Sequence, residues 1–348
     1  MPKTQKKITR PKVCFDRILP RKVMAPFSVM RMPGGRMKAI AIKGKTWMNG
    51  TTLHVQFMEG TSKEKAKVRE QAKWWTDVAN IRMEFDDSPN ADIRITFDPE
   101  GGAWSYVGTD CKEIPFDQPT MNLGFLDGGT AAHELGHAIG LAHEHSNPAG
   151  GIQWNEEVVI ADCAREPNCW TAEETRHNVL EKYSADQIMG TEFDPDSIML
   201  YFFPPEWTLN GVGTKQNNVL SKMDKEFVSG PHMYPKNGPT VKKAVELEVD
   251  AKTKTAGCIS AAAEEDLFSF SADKQGPYVI ETEGETDVAM KLFGPDNETA
   301  VIAEDDDSGF RLNARIAATL IPGTYFVQIR HYDPAGGSGD YSVGVNRG

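Results

Sequence analysis

Four of the chain's eight histidines fall within thirteen residues, His133, His137, His143 and His145, and the run containing them reads His133-Glu134-Leu135-Gly136-His137-Ala138-Ile139-Gly140-Leu141-Ala142-His143. A spacing of four places His133 and His137 on one face of a helix, one turn apart, where both imidazoles reach a single cation. Glu134, next to a ligand, sets a carboxylate beside that ion without binding it, placed to take a proton from a water there. His143 is a different case. Six residues beyond His137, a continuous helix would carry it round by ~600°, or ~240° net, away from the other two. The helix must therefore break, and Gly140 is the residue that permits it, because glycine enters the left-handed conformation that ends a helix. Three neutral imidazoles leave one position open for water, the arrangement of a catalytic zinc site rather than a closed structural one. With this composition, those five residues arise at those offsets by chance in roughly 3 of 100,000 sequences. Incidental histidines on a polar helix are a poor account of the pattern.

Such a site needs elements to hold it. Leu53, Val55 and Phe57 alternate with polar residues, as do Ile93, Ile95 and Phe97; both runs read as half-buried strands. Val68, Ala72, Trp75 and Ala79 recur at helical spacing and predict a helix over 62–80, with Trp74 keeping one face exposed. Met121 to Leu126 reads as another strand, and Asp127 to Thr130 as the turn into the histidine helix. Beyond residue 145 the text is rich in glycine and proline and reads as loops until a helix from Ser221 to Met233. Pro235 to Pro239 reads as a linker. After it come short strand patterns at Leu267–Phe270, Tyr278–Ile280, Ala289–Phe293, Thr324–Ile329 and Tyr341–Val345, the signature of a small all-β sandwich, with Phe268, Phe270, Tyr325 and Phe326 as core.

The chain has 348 residues and a formal charge of 38 − 50 = −12. The charge is uneven: residues 1–45 carry +12, residues 46–239 carry 15 − 30 = −15, and residues 240–348 carry 10 − 19 = −9. A basic arm thus precedes an acidic body, which argues against nucleic acid as a partner and leaves the arm either laid on the body as a pro-segment or extended in solvent. No aliphatic run exceeds a few residues, such as Val158 to Ala161, so no membrane span is expected. The basic N-terminus lacks the apolar stretch of a secretory signal. Among the five cysteines, Cys163 and Cys169 are close enough to close a small loop, and the odd number leaves at least one thiol unpaired within the chain.

His133, Glu134, His137, Gly140 and His143 match every fixed position of the metzincin zinc-protease signature. Glu144 after the third histidine, and Ser197-Ile198-Met199-Leu200-Tyr201, resemble the astacin branch of that group. The resemblance implies an α+β architecture: a metzincin-type protease domain at 46–237, with a twisted mixed sheet, long helices and a zinc cleft, between an arm at 1–45 and the sandwich at 240–348. It further implies zinc on His133, His137 and His143, Glu134 as general base, Met199 as the floor beneath the metal, and Tyr201 as a fifth ligand that also stabilises the reacting carbonyl. It implies protein or peptide substrates, secretion, and a zymogen in which Glu144 pairs with a new N-terminus after cleavage; a solvated acid is the alternative for Glu144. Cys14 or Asp16 is a candidate to occupy the open metal position from the arm, since thiolates bind zinc well; a disulfide or a free thiol is the plainer alternative for Cys14. Asp305-Asp306-Asp307-Ser308-Gly309, Pro322-Gly323-Thr324-Tyr325 and Gly339-Asp340-Tyr341 resemble the bacterial pre-peptidase C-terminal domain. The aspartate run is either a calcium site or a solvated loop. The competing reading of the whole is a zinc-binding protein of weak catalysis that acts through its sandwich as a substrate-binding or adhesion module.

Overall fold

The structure is a computed structural model; it describes residues 14–18, 41–42, 45–166, 168–183, 188–189, 192–200, 202–230, 233–236, 244–261, 264–296, 301–333 and 336–348. Its first sheet takes β1 (Phe15–Arg17), then β3 (Thr52–Phe57), β4 (Arg82–Glu84), β5 (Ile93–Thr96), β6 (Ala103–Tyr106) and β7 (Met121–Leu123), in the order β1-β6-β7-β5-β3-β4. Pairing is parallel except between β6 and β7. The short β2 (Ala41–Ile42) pairs antiparallel with β8 (Ile188–Met189). In β3, Leu53, Val55 and Phe57 point into the core, as their alternation requires.

Against this sheet lie α1 (Ser62–Thr76) and α2 (Thr130–Ala138). Thr61 and Glu64 form a capping box that starts α1, and its buried face carries Val68, Gln71, Ala72 and Trp75. The helix stops at Thr76, short of the expected residue 80, although Ala79 still packs in the core. The loop-rich reading after residue 145 missed α3 (Glu156–Cys163), followed by α4 (Ala172–Thr175) running into one π turn. The buried face of α3 is only Val159 and Cys163, too narrow a stripe to show as a period. The predicted helix at Ser221 is α5 (Lys222–Val228), which ends at Val228 instead of reaching Met233. Cys163 and Cys169 do not bridge, and none of the other three cysteines, Cys14, Cys111 and Cys258, is in a disulfide.

The C-terminal region contributes β9 (Val245–Glu246), β10 (Thr255–Ile259), β11 (Glu265–Ala272), β12 (Gly276–Glu283), β13 (Val288–Phe293), β14 (Val301–Asp305), β15 (Arg315–Leu320), β16 (Gly323–His331) and β17 (Gly339–Arg347). One sheet runs β10-β17-β12-β15 and the other β14-β13-β16-β11-β9. Phe268, Phe270, Tyr278, Ile280, Leu292, Tyr325 and Val327 fill the core between them. Phe326, expected inside, is half-buried on the opposite face, as the period of two demands of a neighbour of buried Tyr325. Asp305 and Asp306 are buried, not solvated. Asp305 accepts from the backbone N–H groups of Ser308 and Arg315. Among the described residues, the run Asp305–Asp307 belongs to no cluster of converging metal-ligand atoms, so the calcium reading has no support. No helix among the described residues is long and apolar enough to cross a membrane.

Candidate active site

Helix α2 is only nine residues long and carries two of the three histidines, so its open ends must be satisfied from outside. At its start, Gln71 of α1 accepts from the N–H of Ala132 at 2.9 Å and donates to the carbonyl of Gly128 at 2.7 Å. Trp75 donates to the carbonyl of Ala132 at 2.7 Å. At its end, the Trp47 indole donates to the carbonyl of Ala138 at 2.8 Å, and the Tyr234 hydroxyl donates to that of Ile139 at 2.6 Å. The sequence reading named Trp75 as core but missed this clamping role, together with Gln71, Trp47 and Tyr234. Their partners lie far along the chain, and no local pattern announces them.

Gly140 breaks the helix as expected. Its φ is +100°, its N–H bonds the carbonyl of His137 at 2.8 Å, and the N–H of Leu141 reaches back to that of Gly136 at 3.0 Å. The chain turns, and His143 joins the pair. The Nε2 atoms of His133 and His143 are 3.2 Å apart, and those of His137 and His143 are 3.0 Å apart. The other ring nitrogens are engaged: His133 Nδ1 lies 2.6 Å from the carbonyl of Ile198, and His137 Nδ1 lies 2.9 Å from that of Leu141. Carbonyls accept only, so both Nδ1 atoms carry the proton, and the Nε2 lone pairs face inward. Four-coordinate zinc at ~2.05 Å from nitrogen separates its ligands by ~3.3 Å. The donors present suit that ion. Glu134, on α2 beside His133, is fully buried.

The fourth group is Cys14. Its Sγ lies 2.9 Å from His133 Nε2, 3.0 Å from His143 Nε2 and 3.8 Å from His137 Nε2, completing a set of four ligands. Strand β1, at the edge of the sheet, delivers it by pairing with β6 in parallel register, Phe15 with Trp104 and Arg17 with Tyr106. Asp16, the other arm candidate, pairs in backbone with Ser105; its side chain lies outside the described residues, as does the whole of Tyr201.

Beneath the histidines, Met199 is buried where expected. A Cβ on Gly136 would stand 2.5 Å from the Met199 sulfur, so glycine is what lets the methionine pass under the helix. The turn bearing Met199 hangs from Asp224, which sequence reasoning also missed. One carboxylate oxygen accepts from the Ser197 hydroxyl at 2.6 Å, and the other from the N–H of Ile198 at 2.9 Å and of Ser221 at 2.9 Å. The pattern Ser221-x-x-Asp224 signals the helix cap that forms here, but not this second duty. Burial raises the Asp224 pKa against those three bonds. Glu144 is buried too, accepts from Asn147 at 3.0 Å and from the Asp194 N–H at 2.9 Å, and is pushed up to about 8 chiefly by burial.

The comparisons with known proteins agree with this geometry. The model of the astacin peptidase family matches residues 39–226. Zinc metalloproteinase nas-28 of Caenorhabditis elegans is 32% identical over 112 residues, which is 32% of this chain and 22% of the relative. Astacin-like metalloprotease toxin 5 of Loxosceles gaucho is 29% identical over 166 residues, 47% of this chain and 80% of the toxin. The chain thus spans less than a quarter of nas-28 and most of the toxin. The solved structure of myroilysin is 35% identical and covers 57% of this chain and 99% of its own, with a TM-score of 0.54. More than half of the chain matches one family model around a histidine set of the required geometry, and the chain belongs to the astacin family of peptidases.

Proposed function

We propose that the protein is a zinc-dependent endopeptidase. The observation that carries the reading is the convergence of His133, His137 and His143 Nε2 atoms within hydrogen-bond distance, with two of their Nδ1 protons already committed to carbonyls. Those three imidazoles would hold zinc, which when bound supplies a Lewis acid for the scissile carbonyl and acidifies a water. Glu134 takes the proton of the attacking water and passes it to the leaving amine. Tyr201 donates a hydrogen bond to the developing oxyanion and can serve as a fifth ligand in the resting site. Met199 is the apolar floor, not a ligand. Residues 46–237 are the protease unit and 240–348 a separate sandwich, and the substrates are proteins or peptides met outside the cell, as the resemblance to secreted proteases suggests.

The chain is latent while Cys14 stays in place. Its sulfur stands where the attacking water must be, among the imidazoles, and β1 covers the edge of the sheet. Residues 1–45 then act as an intramolecular inhibitor, and release of the arm opens the site. The competing reading, a weakly catalytic zinc-binding module acting through its sandwich, is disfavoured by the intact, buried Glu134.

The test is cleavage of casein by arm-released protein with and without a zinc chelator. Activity should vanish with the chelator and return with zinc. Glu134→Gln should keep one zinc per chain and lose kcat by at least about 1,000-fold. Full activity in that variant would remove Glu134 from the mechanism. Absence of bound zinc in the remetallated wild type would remove the reading itself.

A further inference from the structure

Three residues beyond Cys14, the arm places a cation on two aromatic rings. The guanidinium carbon of Arg17 lies 3.5 Å from the centre of the Trp104 ring and 5.6 Å from that of Tyr106. The two rings meet edge to face at 90°, with centroids 6.0 Å apart. Sheet geometry explains the meeting: Arg17 is the register partner of Tyr106, and Trp104, two residues back on β6, points to the same face. The backbone binds as well, since the N–H of Val107 donates to the carbonyl of Arg17 at 3.0 Å.

Main-chain pairing with β6 would accept any extended peptide, so discrimination falls to the side-chain positions along it. The Trp104–Tyr106 pair is such a position. An indole face is the best aromatic partner for a cation, and a guanidinium also stacks flat on it. We propose that these two rings form a subsite for a cationic substrate side chain, arginine above lysine, which Arg17 fills in the latent chain. The inference rests on the endopeptidase reading and adds a substrate class to it. At ~3.3 Å per extended residue, Arg17 stands ~10 Å along the strand from Cys14. A substrate lying in the same groove would therefore set its third residue from the scissile bond over the rings. Charge agrees: the arm is +12, while residues 46–348 sum to −15 − 9 = −24, so the body that must bind the substrate attracts cationic chains.

The experiment uses the arm-released protein of the casein test, so that neither the Cys14 thiol nor the Arg17 side chain occupies the groove. Casein cleavage is measured first. Quenched fluorescent peptides then carry one arginine moved stepwise through a glutamine and alanine background. Arginine at the third residue on one side of the cut should raise kcat/KM about 10-fold over glutamine, the size of a partly desolvated cation–π contact, with lysine between. Trp104→Leu should collapse that ratio below about 2; the ratio, not either rate, is the readout. Casein cleavage with a flat arginine profile overturns the subsite and leaves the protease reading standing. Uncleaved casein overturns both. A second measurement needs no activity. In the otherwise wild-type chain, Arg17→Gln should speed alkylation of Cys14 by iodoacetamide several-fold, followed by mass spectrometry, with Arg17→Lys intermediate. An unchanged rate in Arg17→Gln means that the rings hold no cation, and the proposal fails.

Discussion

The region around the histidines and the C-terminal sandwich both bury polar side chains, but for different ends. In the sandwich, Gln328 donates to Glu265 at 3.0 Å and Tyr341 to Asp266 at 2.7 Å. These groups sit on strands whose backbones are already paired by their ladders. Around the histidines, Asp224, Ser197, Glu144 and Asn147 bond to the backbone of turns that have no ladder to satisfy them. A buried side chain on these strands adds to a structure that is already specified, and Asp305, which holds the turn at Ser308, is the sandwich's exception. A buried side chain under the metal site is what specifies the structure. Loss of packing should therefore dominate in one region, and loss of a polar anchor in the other.

The largest expected effect is in the sandwich core. Phe270 is buried and stacks on Tyr325 with ring centroids 5.5 Å apart. Phe270→Ala should cost about 3–5 kcal/mol by the cavity it leaves, read by urea unfolding, while the chain still binds one zinc with unaltered affinity. A fall in zinc affinity in that variant would erase the contrast between the regions.

Asp224→Ala tests the other side. It leaves the Ser197 hydroxyl and the N–H groups of Ile198 and Ser221 without their acceptor, at a cost of about 2–4 kcal/mol. Because the carbonyl of Ile198 orients His133, zinc affinity should fall by about 10- to 100-fold, measured by competition with a chelating dye. Asp224→Asn keeps one acceptor oxygen and should lie between. Equal zinc affinity in all three proteins would mean that the turn holds itself.

Gly140→Ala probes the break itself. At φ +100° an alanine is strained, by about 1–2 kcal/mol. Its Cβ would also stand 3.1 Å from the Thr46 methyl and 3.3 Å from the Thr46 Cα, so the neighbour must shift as well. Zinc affinity should drop about 10-fold as His143 moves. An unchanged affinity would show that the third ligand does not depend on this turn.

Legibility in the sequence follows the same division. The sandwich strands Leu267–Phe270, Tyr278–Ile280 and Thr324–Ile329 are readable because one face of each is buried and the period of two shows. β10 and β15 escape: in β10 only Ile259 is buried, and β15 buries Ile316 and Leu320 four residues apart, with exposed Ala317 and Thr319 and half-buried Ala318 between. At the site, the convergence of the three histidines and the break at Gly140 can be read because one short helix and one glycine fix their spacing. The clamps Gln71, Trp47, Tyr234 and Asp224 act across tens of residues, and ordinary residue types carry them. Cys14 is legible only as a thiol in a basic arm; what brings it to the histidines is the pairing of β1 with β6, a register no local pattern encodes.

The smallest effect concerns a buried carboxyl that the sandwich tolerates rather than needs. Asp306 is buried, and burial, reinforced by Asp307, Asp305 and Asp287, pushes its pKa up to about 6. Arg330 is the cation in its neighbourhood, shared with Glu265 and Glu304. A folded pKa above the unfolded value means that the folded chain holds the extra proton between about pH 4 and 6, so stability falls as pH rises through that window. Asp306→Asn removes the penalty and should stabilise the chain by about 1 kcal/mol at pH 7.5, less than the full linkage because the carboxylate relaxes toward water. At pH 4 the gain should vanish, since both side chains are then neutral in the folded state. Paired urea titrations at the two pH values check it. A loss of stability at pH 7.5 would show that Asp306 serves as an anchor after all, and that the sandwich uses buried charge in the same way as the site.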